Sequence, residues 1–163
     1  MNRTGSARAR RVEVSQEIRA LDTLSEPHYA SAWEVAIGEG DTRTAEQWAR
    51  ATFEDAPGAL RAFIVAGWTV GLGLSLGPRG SPEHVLGWRI LTAAEDLIIL
   101  SVQSVLLGSA HLVFGLEDSR VLLASLVRYE KRIARPIWSV AQPVHHQIVP
   151  YLLRRAASHF ART

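Results

Sequence analysis

The stretch SLVRYEKRIARPIWSVAQPVHHQIVPYLLRR, residues 125–155, decides the fold that the sequence predicts. Its beginning, LVRYE, alternates as a strand does, and the part from about Ile133 to His159 has apolar residues at helical spacing. At about 100° per residue, an apolar stripe centred on Ile148 contains Ile137, Ala141, Val144, Tyr151 and Leu152. We therefore predict a last strand followed directly by a C-terminal helix whose apolar stripe is about five turns long.

Three prolines lie within this predicted helix. Pro136 falls in the first turn, where proline is tolerated. Pro143 and Pro150 fall near the face opposite the apolar stripe, and each removes a backbone hydrogen bond and clashes with the preceding turn. Because they lie on the outer side, seven residues apart, we expect them to bend the helix around whatever lies beneath it.

Four strand-like segments precede the helix. HVLGWRIL, DLIILSVQSVLL, SAHLVFGL and RVLLASLVRYE, between residues 84 and 130, are separated by short polar or glycine-bearing turns. Short connections join antiparallel neighbours, so the pattern predicts an antiparallel meander. DLIILSVQSVLL is apolar on both faces. One face is expected to line a cavity, and a second subunit is a candidate cover for the other, which would make the protein a homodimer.

The segments before the meander predict one more strand and two helices. YASAWEVAI, residues 29–37, alternates with period two. Thr44 is placed as an N-cap with Gln47 three residues on, and Pro57-Gly58 ends that helix. A second apolar helix, residues 59–74, is weakened by three glycines. The elements together predict an α+β domain over residues 25–163, preceded by a flexible, Arg-rich tail, residues 1–24. A short helix near Val14–Leu24 and an electrostatic arm for a membrane or nucleic acid are the alternatives for the tail.

Composition narrows the classes of function. Lysine and arginine total 18, with lysine only at position 131, against 16 acidic residues, and no basic stripe of the kind that binds nucleic acid is present. The absence of cysteine excludes disulfides, thiolate catalysis and cysteine zinc sites. The basic N-terminus is not followed by an apolar segment like that of a signal peptide, and the longest apolar run, residues 62–76, is too short to span a bilayer. We expect a soluble, cytoplasmic protein.

Several of these segments carry a resemblance to a known family. HYASAWEV, RTAEQWARATFEDAP, LGPRGSPEHVLGWRI, LVRYEKRIARPIW and PVHHQIVPYLLRRAA resemble an actinobacterial family of uncharacterised proteins within the START and polyketide-cyclase (SRPBCC) superfamily. The resemblance covers about residues 27–157. It implies a helix-grip fold, in which an antiparallel sheet curves around a long C-terminal helix, with a helix pair after the first strand and a cavity between. The superfamily includes lipid carriers, receptors and cyclases, so the fold alone does not decide the function.

The candidate ligand-binding residues are polar or aromatic side chains on the predicted strands. Trp88 shares a face with Leu86 and Ile90, where it can wall a cavity and offer one N–H donor. Ser125 and Tyr129 share one face of the last strand, and Gln103 lies on the odd-numbered face of its own strand. A few polar groups among many apolar ones suit a small-molecule cavity, and they equally suit a partly hydrated core.

Two histidines are further candidates. His111 is a polar group in the cavity if the odd face of its strand points inward, but the heavier apolar content of the even face favours exposure to solvent. His145 lies about 60° from the centre of the helical stripe, where it can reach the cavity rim, whereas His146 lies about 160° away and is expected in solvent. Neighbouring helical residues point 100° apart, so this pair cannot chelate one metal ion. We predict no metal and no cofactor.

Three functions remain open at this point. The first is a non-catalytic binder of a hydrophobic small molecule such as a lipid, polyketide or aromatic metabolite, with the glycine-rich second helix as its entrance. The second is a cyclase or dehydratase with His111 or His145 as its acid or base. The third is a protein-interaction module with a filled core. A cavity of roughly 300–1,000 Å³ favours the first two over the third.

Overall fold

The computed structural model describes residues 8–21 and 24–160. Its strands form a single seven-stranded antiparallel sheet in the spatial order β1-β2-β7-β6-β5-β4-β3. The strands are β1 (Arg10–Val12), β2 (Tyr29–Ala36), β3 (His84–Val85), β4 (Trp88–Ala93), β5 (Leu97–Ser104), β6 (Gly108–Glu117) and β7 (Arg120–Tyr129). Each strand from β3 to β6 pairs with the next one in sequence, so the predicted antiparallel meander is confirmed.

The helices are α1 (Gln16–Leu21), α2 (Ala45–Phe53), α3 (Gly58–Ala66) and α4 (Ala134–Phe160). The predicted α+β class and the long C-terminal helix are therefore present. The capping box of α2 is confirmed, because the Thr44 hydroxyl accepts a hydrogen bond from the backbone N–H of Gln47, whose side chain accepts one from the backbone N–H of Thr44. The second helix of the pair is shorter than predicted. It ends at Ala66 and continues as a π-helical segment, Gly67–Gly71, bounded by two of the glycines that weaken it.

The segment HVLGWRIL is a tight hairpin and not the single strand that we predicted. β3 and β4 pair with each other, and the two residues between them have positive φ angles, 45° at Leu86 and 89° at Gly87. Two consecutive residues in this conformation form the kind of two-residue turn that reverses an antiparallel pair. The sequence did not reveal this turn, because the alternation of apolar residues continues on both sides of Gly87.

The sheet has two buried faces. α2, α3 and α4 lie over the inner face, and the main core there includes Trp48, Phe53, Phe114, Leu123 and Leu152. The outer face carries a smaller cluster, in which Ile18 of α1 packs with residues of four central strands: Ala32, Ile99, Val113, Ala124 and Leu126. The two clusters follow the alternation of side chains along each strand.

The N-terminal segment departs from the prediction of a flexible tail. Arg10–Val12 pairs with β2, and Glu34 of β2 contacts Arg10 and, at 3.0 Å, Arg120. α1 then covers the outer face, with Ile18 only 8% exposed. Residues 1–7 and 22–23, also part of the predicted tail, lie outside the described residues. Because the chain itself covers part of the outer face, the argument for a homodimer loses its premise.

Helix α4 packs along the inner face of the sheet. Its buried residues are Ala134, Trp138, Val149, Leu152, Leu153 and Ala156. This set is centred near Val149 instead of Ile148, a rotation of about 100° from the predicted stripe. Tyr151 is consequently exposed. Pro143 and Pro150 both lie inside the continuous helix. No helix within the described residues is both long and apolar enough to cross a membrane.

Candidate functional site

A cavity of about 650 Å³ lies between the inner face of the sheet and the helices α3 and α4. Its floor comes from β4, β6 and β7, and its other walls from α3, the π-helical segment and α4. Among the described residues that line it, none is Asp, Glu, Lys or Arg. The volume is within the ordinary range for small-molecule pockets, and the lining is almost entirely apolar.

The cavity opens between α3 and α4. Phe63 of α3 and Val140 and Val144 of α4 line it and yet remain 57%, 80% and 47% exposed, so they mark the rim of the mouth. Gly67 and Gly71 of the π-helical segment line the same side. A π-helical segment that begins and ends with glycine is a deformable wall, because glycine adds no side chain to hold it.

One end of the cavity is aromatic. The rings of Trp68 and Trp88 meet edge to face with centroids 5.6 Å apart, and Phe53 lies 5.7 Å from Trp68 and 5.9 Å from Phe114. Edge-to-face contact at these distances is a favourable arrangement of aromatic rings. The indole N–H of Trp88 is buried and has no hydrogen-bond partner within the described part of the chain.

The other end contains a group of polar atoms, which we call the polar corner: Ser125 of β7 and Trp138 and His145 of α4. Ser125 Oγ, Trp138 Nε1 and His145 Nε2 are each buried, and each lacks a hydrogen-bond partner among residues 8–21 and 24–160. The rings of Trp138 and His145 are 5.1 Å apart. All three residues line the cavity.

Tyr29 of β2 backs the polar corner. Its ring lies 5.0 Å from that of Trp138, and its hydroxyl lies 2.6 Å from Nε2 of His146 and 2.9 Å from Oγ of Ser31. Ser31 is the cross-strand partner of Ser125. A tyrosine hydroxyl has only one proton to donate, and the contacts with Ser31 and His146 leave no donor for a third partner. Arg11 of β1 reaches the far side of the same group, 3.4 Å from Nδ1 of His146.

Burial makes both histidines of α4 harder to protonate. Desolvation, followed by the nearby charges of His146 and Arg11, lowers the pKa of His145 to about 3. Desolvation and then Arg11 also lower the pKa of His146. Burial raises the pKa of Tyr29. At neutral pH the polar corner is therefore an uncharged set of hydrogen-bonding groups.

Four of the six residues predicted to bind a ligand are among those that line the cavity: Trp88, His111, Ser125 and His145. Gln103 does not, because it lies on the outer face, where its side-chain oxygen accepts a hydrogen bond from Ser109. Tyr129 lies at the end of the sheet, stacked on His28 with centroids 5.1 Å apart.

His111 is among the residues that line the cavity, but the alternation of β6 places its side chain on the outer face, with Val113 and its cross-strand partner Leu126. The expected exposure of His111 is wrong. It is buried, because the face that carries it is covered, and it has an interaction partner.

Sequence reasoning missed Trp138, Tyr29 and Trp68. Trp138 precedes His145 by seven residues, two helical turns, so the spacing was a usable signal for a shared face. Tyr29 had no such signal, because its position depends on the pairing of β2 with β7. His146 was wrongly expected in solvent. The rotation of the buried stripe toward Val149 moves it to about 60° from the stripe's centre and into contact with Tyr29.

Comparisons with known proteins find few similar proteins. No family model matches the chain, and no curated protein matches it. Among solved structures, one of a protein from Arthrobacter aurescens, determined by solution NMR in a structural genomics programme, matches 80% of this chain and 86% of its own. The identity is 10% and the TM-score 0.41. The class of protein that the structure itself defines is an α+β domain with an open antiparallel sheet and a long C-terminal helix.

Proposed function

We propose that this protein binds a hydrophobic small molecule, such as a lipid, a polyketide or an aromatic metabolite, in the cavity between the sheet and α4. The observation that carries the proposal is the apolar cavity of about 650 Å³ with a mouth between α3 and α4. We also propose that the architecture is the helix-grip fold of START-like proteins, as the sequence resemblance implies.

Burial of apolar ligand surface would supply most of the affinity. A ligand that buries roughly 250 Å² of apolar surface gains about 6 kcal/mol at 25 cal/mol per Å², before the costs of association are subtracted. The aromatic end offers large flat surfaces, and the polar corner offers a few directional contacts. This combination supports a binder of medium-sized apolar molecules.

A cyclase or dehydratase is the second candidate, because Nε2 of His145 lies buried at the cavity and lacks a partner among the described residues. A general base works best when its pKa is near the working pH. The pKa of His145, about 3, makes it a weak base, which favours a hydrogen-bonding role over proton abstraction. A protein-interaction module with a filled core ranks third, because a cavity of about 650 Å³ is not expected in a filled core.

The test is binding of N-phenyl-1-naphthylamine, an uncharged probe that fluoresces in apolar surroundings, to the full chain and to two variants. Ala141→Trp places an indole in the cavity wall. Ser139→Trp, two residues away on the same helix, places it on the exposed side. We expect a saturable signal that Ala141→Trp weakens about tenfold or more and Ser139→Trp leaves unchanged, a difference of about 1.4 kcal/mol.

Native mass spectrometry of the purified protein gives an independent result. A bound mass that is lost on denaturation identifies the ligand class directly. If the probe does not bind, or if both tryptophan variants weaken it equally, the cavity is not a binding site and the proposal is wrong.

A further inference from the structure

The polar corner is an exception within an otherwise apolar cavity. Ser125 is 4% exposed and Trp138 is 4% exposed, and the polar atom of each, like Nε2 of His145, has no partner within the described residues. Buried polar groups in folded proteins nearly always have a hydrogen-bond partner, so three neighbouring exceptions call for an explanation.

Tyr29 does not supply the missing partner. Its ring lies within 6.1 Å of that of His145, but its hydroxyl is engaged with His146 and Ser31. His146 points its Nε2 at Tyr29 and its Nδ1 toward Arg11. The groups behind the corner are thus committed to one another, and the three unpartnered atoms belong to residues that line the cavity.

The chemistry of the three groups restricts what can satisfy them. The indole nitrogen of Trp138 only donates, the hydroxyl of Ser125 donates or accepts, and Nε2 of a neutral imidazole does one or the other according to its tautomer. An occupant must therefore offer at least one acceptor, and a carbonyl or hydroxyl oxygen is the simplest. A water molecule can take this place in the free protein, and a ligand oxygen that reproduces its hydrogen bonds can replace it.

The same cavity excludes a charged ligand group. No described lining residue is a lysine, arginine, aspartate or glutamate, and His145 is neutral at pH 7. The side chain of His111, the other histidine of the lining, is on the outer face of the sheet. An unpaired carboxylate or ammonium group would lose its hydration here without a counter-charge to replace it.

The distance between the two ends sets the shape of the occupant. Ser125 is on β7 and Trp88 is on β4, three strand spacings away in the sheet. At about 4.8 Å per spacing, the polar corner and the aromatic end lie roughly 14 Å apart. A molecule that reaches both is elongated and carries its oxygen toward one end.

We propose that the cavity selects an uncharged, elongated, largely apolar molecule whose carbonyl or hydroxyl oxygen is bound at the polar corner by Ser125, Trp138 and His145. This proposal rests on the proposed function, because it names the class of ligand for the same cavity.

The test compares 4-acetylbiphenyl, an elongated molecule with its oxygen at one end, with 4-isopropenylbiphenyl, which has almost the same shape but no oxygen, and with biphenyl-4-carboxylate, which is charged. Binding of each to the full chain is measured by equilibrium dialysis at pH 7. We expect the ketone to bind about 3- to 10-fold more tightly than the hydrocarbon for each hydrogen bond formed, and the carboxylate to bind at least about tenfold more weakly than the ketone.

Three variants test whether a preference for the ketone over the hydrocarbon comes from the polar corner. Trp138→Phe removes the indole N–H, and Ser125→Ala, a milder change, removes the hydroxyl. Trp33→Phe is the matched control, because Trp33 Nε1 is also buried and without a partner in the described chain, but Trp33 does not line the cavity. Circular dichroism verifies that each variant folds. We expect the two corner variants to reduce the ratio of ketone affinity to hydrocarbon affinity several-fold, and the control to retain that ratio.

The outcomes separate this proposal from the proposed function. If ketone and hydrocarbon bind equally, or if both corner variants keep the full preference, the polar corner is not the recognition element, although the cavity still binds apolar molecules. If the carboxylate binds as tightly as the ketone, the requirement for an uncharged ligand is overturned. If none of the three compounds binds and N-phenyl-1-naphthylamine does not bind either, the proposed function fails, and this inference fails with it.

Discussion

The hydroxyl of Tyr29 on β2 lies 2.6 Å from Nε2 of His146 on α4, so a side-chain hydrogen bond joins the sheet to the C-terminal helix behind the polar corner. The same hydroxyl lies 2.9 Å from Oγ of Ser31. This short chain of polar groups fixes the ring of Tyr29 against Trp138, one of the cavity-lining residues. The stability of the site therefore depends on a contact between residues 117 positions apart in the sequence.

Replacement of Tyr29 tests that contact. Tyr29→Phe removes the hydroxyl and leaves the ring, so we expect the free energy of unfolding to fall by about 1 kcal/mol or somewhat more, because two partly buried partners lose a hydrogen bond. Urea denaturation at pH 7 measures it. Tyr151→Phe is the control, since Tyr151 is on the exposed side of α4 and should change stability by less than about 0.5 kcal/mol. Equal effects of the two substitutions would contradict the hydrogen bond.

The lowered pKa of His145 predicts how the free energy of unfolding depends on pH. Its pKa is about 3 in the folded protein, against an ordinary value of 6.5. Between those values the unfolded chain binds a proton that the folded chain does not, so the free energy of unfolding rises with pH, by up to about 1.4 kcal/mol per unit. The contribution is complete above about pH 6.5 and is lost as the pH falls toward 3. His146 acts in the same direction, and Arg11 is the cation facing the pair.

The measurement is urea denaturation of the wild-type chain and of His145→Phe at pH 7 and pH 5. We expect the wild type to lose about 1–2 kcal/mol more than the variant over this interval. The variant retains His146 and Arg11, so it serves as the internal control for the other groups of the site. An identical pH dependence of both proteins would show that His145 is protonated as easily in the folded state as in the unfolded one.

Two glycines of β6 form a matched pair. Gly108 has φ 130°, and a Cβ added there would lie 2.5 Å from the carbonyl oxygen of Arg128. Gly115 has no atom within 4 Å of the same position. We expect Gly108→Ala to lower the free energy of unfolding by at least about 2 kcal/mol, because an L-residue is strained at this φ and the clash is with backbone. Gly115→Ala should change it by less than about 1 kcal/mol. Thermal and urea denaturation compare them, and the reverse ranking would contradict the register at the start of β6.

The packing of α1 on the outer face is tested by Ile18→Ala. Ile18 contacts the cluster that includes Ile99, Val113 and Ala124, so its truncation should cost about 2–3 kcal/mol in the free energy of unfolding. Leu21→Ala in the same helix is the control, because Leu21 is 56% exposed and should cost less than about 0.5 kcal/mol. Sedimentation or light scattering on both variants also reports whether an uncovered outer face associates. If Ile18→Ala is as mild as the control, residues 16–21 do not cover the sheet.

Several elements were predicted correctly because their sequence signals are local. Each signal depends on residues that are near neighbours in the chain: the capping box of Thr44 and Gln47, the break at Pro57-Gly58 and the alternation of β5 to β7. The long C-terminal helix was predicted to within one residue at each end, despite Pro143 and Pro150. The reversal at Leu86-Gly87 was missed, because the same local alternation continues on both sides of it.

The faces that those elements present were harder to predict. The buried stripe of α4 is centred on Val149 and not on Ile148, and this one-residue difference decides that His146 meets Tyr29 and that Tyr151 does not face the core. In the sheet, both faces of β5 are apolar, so alternation did not distinguish the side of the main core from the side that α1 covers. Gln103 was misplaced for that reason, and His111 was expected in solvent because the sequence did not show that the outer face is covered.

The sequence by itself determined the α+β class, the antiparallel meander and the C-terminal helix, because propensity, period and turn chemistry act between near neighbours. Only the tertiary structure decided that residues 10–21 pair with and cover the sheet, and that Ser125, Trp138 and His145 converge at one end of a cavity. Those outcomes depend on strand pairing and on the rotation of one helix, which are settled by the burial of surfaces far apart in the chain.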